Sequence, residues 1–324
     1  MTWVTWRQFR LQGTIAAALL AVLAVVLLIA GLHAAHVWQS ALSRCGPTGS
    51  CSSLADSNLS LANPTIAALV VATATVPLLP GLLWGAPTVA QELEAGTHQF
   101  AWTQSITRRR WLAVKTGWLL LAAAALAAVV SALVTWWSGP SHALNANAFQ
   151  TNQFDITDIV PVAYAVFAMA LGICASTLTR RPIPALGVTL AGFLALRLAT
   201  AEWLRPHYMT PVTAYYKLTA PLTPAGSYLG ISTGVIAPSG AGAASNSIGN
   251  YEGVPVVAAC QHFMGNPDPQ TVVPCLAAHG YQGFITYQPA SRFWAFQGIE
   301  TGIFVALAAI LIGITFWVLK RRDA

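Results

Sequence analysis

The sequence predicts an all-α membrane protein with six transmembrane helices, and three observations predict it. Of its 324 residues 56% are hydrophobic and only 8% charged, with a mean hydropathy of +0.60. Soluble domains carry about 25% charged residues, so a soluble fold is excluded. Six segments reach the length of about 20 apolar residues that a helix needs to cross the hydrocarbon core: Thr14–Val37, Pro64–Pro87, Leu112–Trp137, Ile159–Leu178, Ile183–Leu204 and Gly298–Leu319. Runs such as "AAALLAVLAVVLLIAG" (16–31) are apolar on every face and lack the alternation of a membrane β-barrel.

The elements follow in chain order. Residues 1–13, with Trp3, Trp6, Arg7 and Arg10, suit an amphipathic helix lying in the inner interface. The first span is too long for a signal-peptide core and is read as a retained anchor. Residues 14–204 hold spans one to five and a connector at 88–111. Residues 205–292 form an extracellular loop long enough to fold by itself, and 293–324 hold the sixth span and a short tail.

Orientation comes from Lys and Arg, which favour the cytoplasmic side. With the N-terminus inside, eleven of the sixteen lie on the inner face, including Arg108, Arg109, Arg110, Arg180, Arg181 and the tail Lys320–Arg322. Both termini are then cytoplasmic, and the net charge of +6 reflects this inner bias. It is no nucleic-acid footprint.

Four of five cysteines fall in the expected outer loops, where disulfides persist. Cys45 with Cys51 and Cys260 with Cys275 is the simplest of three pairings. The spacing of Cys260, His262, Cys275 and His279 also suits a metal, and disulfide and metal site both stay open, the disulfide favoured outside the membrane. Cys174 is expected as a small buried residue. Within the spans, Arg197 and Glu300 are candidates to line a path, with a structural role as the competing reading. "GLLWG" (81–85) fits small-xxx-small packing, a pattern that chance supplies freely in a chain with 25 glycines. Pro77, Pro80 and Pro87 mark the second span as a place where bending is absorbed.

The connector concentrates charge. "QELEAGTHQFAWTQSITRRRW" (91–111) holds five of the 26 charged residues. Its arginines suit the inner headgroup layer of membrane lipids, but Glu92 and Glu94 add nothing to an inside-positive signal and suit a protein partner. "ELEAGTHQFAWTQSITRRRWLAVK" (92–115) resembles the connector of type-2 ABC exporter permeases: an acidic residue, Gly-Thr, then a Ser/Thr-Arg run with Trp-Leu and Lys. The leader "WVTWRQFRLQ" (3–12) is similar to theirs. The resemblance implies that 88–111 is a coupling helix, with Glu92, Glu94, Gly96, Thr97 and Arg108 at the contact with a cytoplasmic ATPase. It implies a second permease copy, as a homodimer or with a related permease, and a hydrophobic or amphipathic cargo such as a drug, antibiotic or lipid. ATP and Mg would be held by the partner, since "AVKTG" (113–117) has no glycine loop before its Lys-Thr and the chain is not expected to be an enzyme. The competing function is a membrane sensor or assembly protein that binds a ligand through its extracellular loop.

Overall fold

The computed structural model describes residues 2–45, 64–87, 108–143, 148–219, 224, 227–240, 242–245, 260 and 269–322. They form two compact units, Met1–Ala146 with Thr151–Thr200 and Gln297–Ala324, and Asn147–Gln150 with Ala201–Phe296.

The first unit is helical. Helix α1 runs unbroken from Thr2 to Cys45, so no break separates the expected 1–13 leader from the span that follows. Helix α2 (Pro64–Thr75) tightens into a 3-10 turn at Val76–Leu78 and then widens into a π-helix at Gly81–Gly85. Pro77 and Pro80 cannot donate to the helical ladder, which is why the bond spacing changes there. Helix α3 is Arg108–Ala143, the single turn α4 is Thr151–Phe154, α5 is Val160–Thr179, α6 is Pro182–Ala199 and α8 is Phe293–Arg322.

Among the described residues, five segments are long and apolar enough to cross a membrane: Pro64–Gly85, Leu112–Gly139, Val160–Thr179, Pro182–His207 and Ala290–Arg321. Among the described residues, α1 contributes an apolar stretch at Ala21–Val37.

The turn between α5 and α6 shows how "TRRP" works. Arg180 adopts the left-handed conformation (φ 54°) and its N–H donates to the Ser176 carbonyl, closing α5. Arg181 is extended (φ −132°, ψ 133°), as a residue before proline prefers, and Pro182 opens α6 where a missing N–H does no harm.

Helix α5 sits at the centre. Of its apolar window 72% is buried, against 22% to 44% for the other four spans. Being apolar on every face, it packs against α3, α6 and the irregular half of α2. Glycines let α2 and α5 approach each other closely. A Cβ on Gly81 would lie 2.3 Å from the Ala168 carbonyl oxygen, and one on Gly172 would lie 2.5 Å from the Gly81 oxygen. The "GLLWG" pattern therefore is a packing seam, which its low weight in the sequence did not convey. On the other side of α2, Leu27 of α1, Leu69, Val70 and Val76 of α2, and Val130, Val134 and Trp137 of α3 build one apolar cluster with Ile156.

The all-α expectation is corrected in the second unit. Strands β1 (Val212–Lys217), β2 (Leu229–Ile236), β3 (Gly242–Ser245) and β4 (Gln282–Gln288) form an antiparallel sheet in the order β1-β4-β2-β3. Val212 pairs with Tyr287 and Lys217 with Gln282, and a bulge falls between Gly230 and Ser232. The strands are rich in Thr, Tyr, Val and Ile, which suit a pleated, half-buried surface. Helix α7 (Pro269–Ala278) ends on Gly280 at φ +79°, while Tyr281 N–H returns to the Leu276 carbonyl. Its Val272 and Leu276 pack with Ala237, Cys260 and Tyr281. The sheet was missed because its strands carry glycines and little regular apolar alternation, and β4 lies far along the chain from the strands it pairs with.

Candidate functional site

Two features of the first unit stand out against its apolar interior, a buried polar network and an apolar groove. The network begins in the segment between α4 and α5. Asp158 takes a left-handed conformation (φ 62°), which Asp tolerates better than most residues. Its N–H donates to Thr135 Oγ1 at 3.0 Å, and its carbonyl accepts from Ser131 Oγ at 2.5 Å, docking the segment on α3. From α8, Gln297 Oε1 accepts the Val160 N–H at 3.1 Å and its Nε2 donates to the Phe154 carbonyl at 3.3 Å. The first N–H groups of α5 would otherwise lack helical partners. Held from both sides, Asp155 projects into the interior, 1% exposed.

Asp155 meets Arg197 of α6, whose Nε lies 3.1 Å from Asp155 Oδ2. Arg197 Nη1 donates to the Ala74 carbonyl at 2.9 Å, at the turn where α2 leaves its α-helical course. The guanidinium lies 5.5 Å from the ring centroid of Tyr164 on α5, a cation–π distance. Tyr164 Oη is 3.3 Å from Asp155 Oδ1 and hydrogen-bonds Glu300 Oε1 of α8. Tyr164 and Glu300 are both fully buried, and the tyrosine ring packs edge-on to Phe304 at 4.6 Å and Phe193 at 6.1 Å. The network thus joins α2, α5, α6 and α8 through one carboxylate–guanidinium pair. Buried charges are tolerated only when paired and hydrogen-bonded, and removing one partner costs about 3–5 kcal/mol.

The groove is apolar. Leu19 and Leu23 of α1, Leu126 of α3, and Val76, Leu79, Pro80, Leu83 and Trp84 of α2 line a cavity of about 90 Å³. Most of its wall is the irregular half of α2, where the helix departs from regular bonding.

The sequence-derived candidates fare differently. Arg197 and Glu300 belong to the network and do not line the groove. Their partners Asp155 and Tyr164 were not anticipated, since Asp155 reads as part of a loop and Tyr164 as one aromatic in an apolar run. The signal was an intramembrane arginine in need of a carboxylate, but nothing in the sequence selects Asp155 as that group. Arg108 opens α3, while Glu92, Glu94, Gly96 and Thr97 lie outside the described residues, as do Cys51 and His262. Cys45 closes α1. Cys174 is a free thiol, buried in α5.

In the second unit Cys260 and Cys275 form a disulfide, with His279 Nδ1 3.8 Å from Cys260 Sγ and 2.9 Å from the Cys275 carbonyl oxygen. These three side chains are grouped closely enough for a metal. Sulfurs joined to each other supply no thiolate, however, and the thiolate is the ligand form. The bridge closes a loop of 15 residues, for which chain entropy gives about 3 kcal/mol. Cys260→Ser with Cys275→Ser should therefore lower the melting temperature of the purified protein, read by thermal unfolding against the wild type without reductant.

Fold and site together define a multi-pass helical membrane protein with a central buried helix and an irregular neighbour. The chain belongs to the family described as ABC-2 membrane transporter related, whose model matches residues 17–205. That match takes in α2, α3, α5, α6 and most of α1, with Asp155, Tyr164, Arg197 and the glycine seam. Family membership makes it a permease-type subunit and implies pairing with an ABC ATPase. No curated protein and no solved structure matches the chain.

Proposed function

We propose that this protein is the membrane-spanning subunit of an ATP-driven exporter in a bacterial plasma membrane. It moves a hydrophobic or amphipathic molecule, such as a drug, antibiotic or lipid, with a separate ATPase supplying ATP hydrolysis. The observation that carries this reading is the family match, which extends across the 88–111 connector and the helices on both sides of it. Six spans with both termini inside would place that connector at the cytoplasmic face. There it acts as the coupling helix, with Glu92, Glu94, Gly96, Thr97 and Arg108 at the ATPase contact.

ATPase closure would push on the connector and so on α2 and α3. A helix yields first where its bonding is irregular, and in α2 that is the stretch from Val76 to Gly85. The apolar groove beside this stretch suits the apolar part of a cargo. Two permease chains, identical or related, would complete the transporter. A second reading, a sensor or assembly protein working through its outer domain, draws support from the separate sheet-containing unit.

Co-purification tests the proposal. The wild type should bring down an ABC ATPase, and Glu92→Lys with Glu94→Lys should reduce the recovered ATPase several-fold while leaving permease yield unchanged. A permease that transports without any ATPase would refute this reading.

A further inference from the structure

We propose that Arg197 is a positioning residue that clamps α2 where its regular helix gives way to the 3-10 and π stretch, with Asp155 as its anchor. The two ends of the guanidinium have different partners. Nε holds a buried carboxylate fixed to α3 and α8 through its own backbone segment, and Nη1 holds the Ala74 carbonyl of α2. A hydrogen bond between a charged donor and a neutral carbonyl is weaker than a desolvated ion pair lost on one side. When α2 moves, the Ala74 contact is therefore the one that opens, while Arg197 stays with Asp155 and the face of Tyr164. The clamp sits at the last regular turn before the 3-10 segment, so it sets where the irregular stretch begins to move.

Arginine is suited to this place and lysine is not. The planar fork offers donors in two fixed directions, whereas an ammonium is a single point of charge that serves one partner well. Glu300, by contrast, meets the network through the Tyr164 hydroxyl. It supports the assembly without clamping α2.

The geometry of the first unit carries this inference, and only its meaning for transport rests on the permease reading. The test accordingly uses the full chain alone in lipid nanodiscs, with no ATPase. Spin labels replace Leu83 in α2 and Leu178 in α5, which are 51% and 45% exposed, in a Cys174→Ala background. The wild type should give one narrow distance distribution. Arg197→Lys and Asp155→Asn should each add a second population, whereas Glu300→Gln should leave the distribution single. The exchange Arg197→Asp with Asp155→Arg restores an ion pair but moves the guanidinium away from Ala74. It should recover melting temperature relative to either single change, yet keep the second population. If Arg197→Lys leaves the distribution unchanged, or if Glu300→Gln broadens it equally, Arg197 does not clamp α2 and the proposal fails.

Discussion

Asp155→Ala should be among the most destabilising single substitutions in the membrane unit. It leaves the Arg197 guanidinium inside the bundle without its carboxylate, and the arginine side chain is only 17% exposed. Loss of one member of a buried pair costs about 3–5 kcal/mol, because the remaining charge has been taken out of water and no longer has a counterpart. The measurement is thermal unfolding of detergent-solubilised protein. Asp155→Asn, which keeps a hydrogen-bond acceptor at nearly the same place, should fall between alanine and wild type. If alanine and asparagine melt alike with the wild type, the pair carries no stability.

Gly172→Val should separate α2 from α5. Even the first carbon of a side chain there would sit 2.5 Å from the Gly81 oxygen, 2.9 Å from the Ala86 nitrogen and 3.1 Å from the Gly85 carbonyl carbon. These are backbone atoms, so relief requires one helix to shift bodily against the other. Overpacking of this kind costs about 1–3 kcal/mol and sometimes more. Gly313→Ala on α8 is the control, since a Cβ there meets nothing within 4 Å. Alanine is favoured over glycine in helices by up to about 1 kcal/mol, so that variant should melt at or slightly above the wild type.

Much of the fold could be read from the chain because lipid imposes a simple rule. The expected spans at Pro64–Pro87, Leu112–Trp137, Ile159–Leu178, Ile183–Leu204 and Gly298–Leu319 each coincide with a helix long and apolar enough to cross. Their ends differ by a few residues, as at α8, which begins at Phe293 on the soluble side of its apolar window. The second unit obeyed no such rule. Its four strands pair residues up to 75 positions apart, Val212 with Tyr287 for example, and strands interrupted by glycine leave only a faint period-two trace.

The site was half legible. Arg197 and Glu300 attracted attention because charge inside a span is expensive, and both take part in the network. Asp155, 42 residues from Arg197, looked like one more loop aspartate. Its role depends on Ser131, Thr135 and Gln297 holding its segment inside the bundle, a tertiary arrangement that no local pattern encodes. The glycines of "GLLWG" posed the opposite difficulty. Their pattern was visible, but only the facing Gly172 and Ala168 distinguish a seam from coincidence.

The enclosure of α5 means that hydropathy, which locates this helix, says little about what constrains it. An apolar helix face left to hydrocarbon, as the more exposed faces of α8 (28% of its apolar window buried) would be in a bilayer, is governed by how well each side chain dissolves there. Its apolar residues are interchangeable in size and intolerant of charge. On α5 the neighbours are other helices, and its alanines and Gly172 are defined by the room left for them. Ser176 and Thr177 sit there buried, their hydroxyls returned to the carbonyls of Ile173 and Cys174. The two helices look alike in an apolarity profile, yet one is selected by solvent and the other by volume.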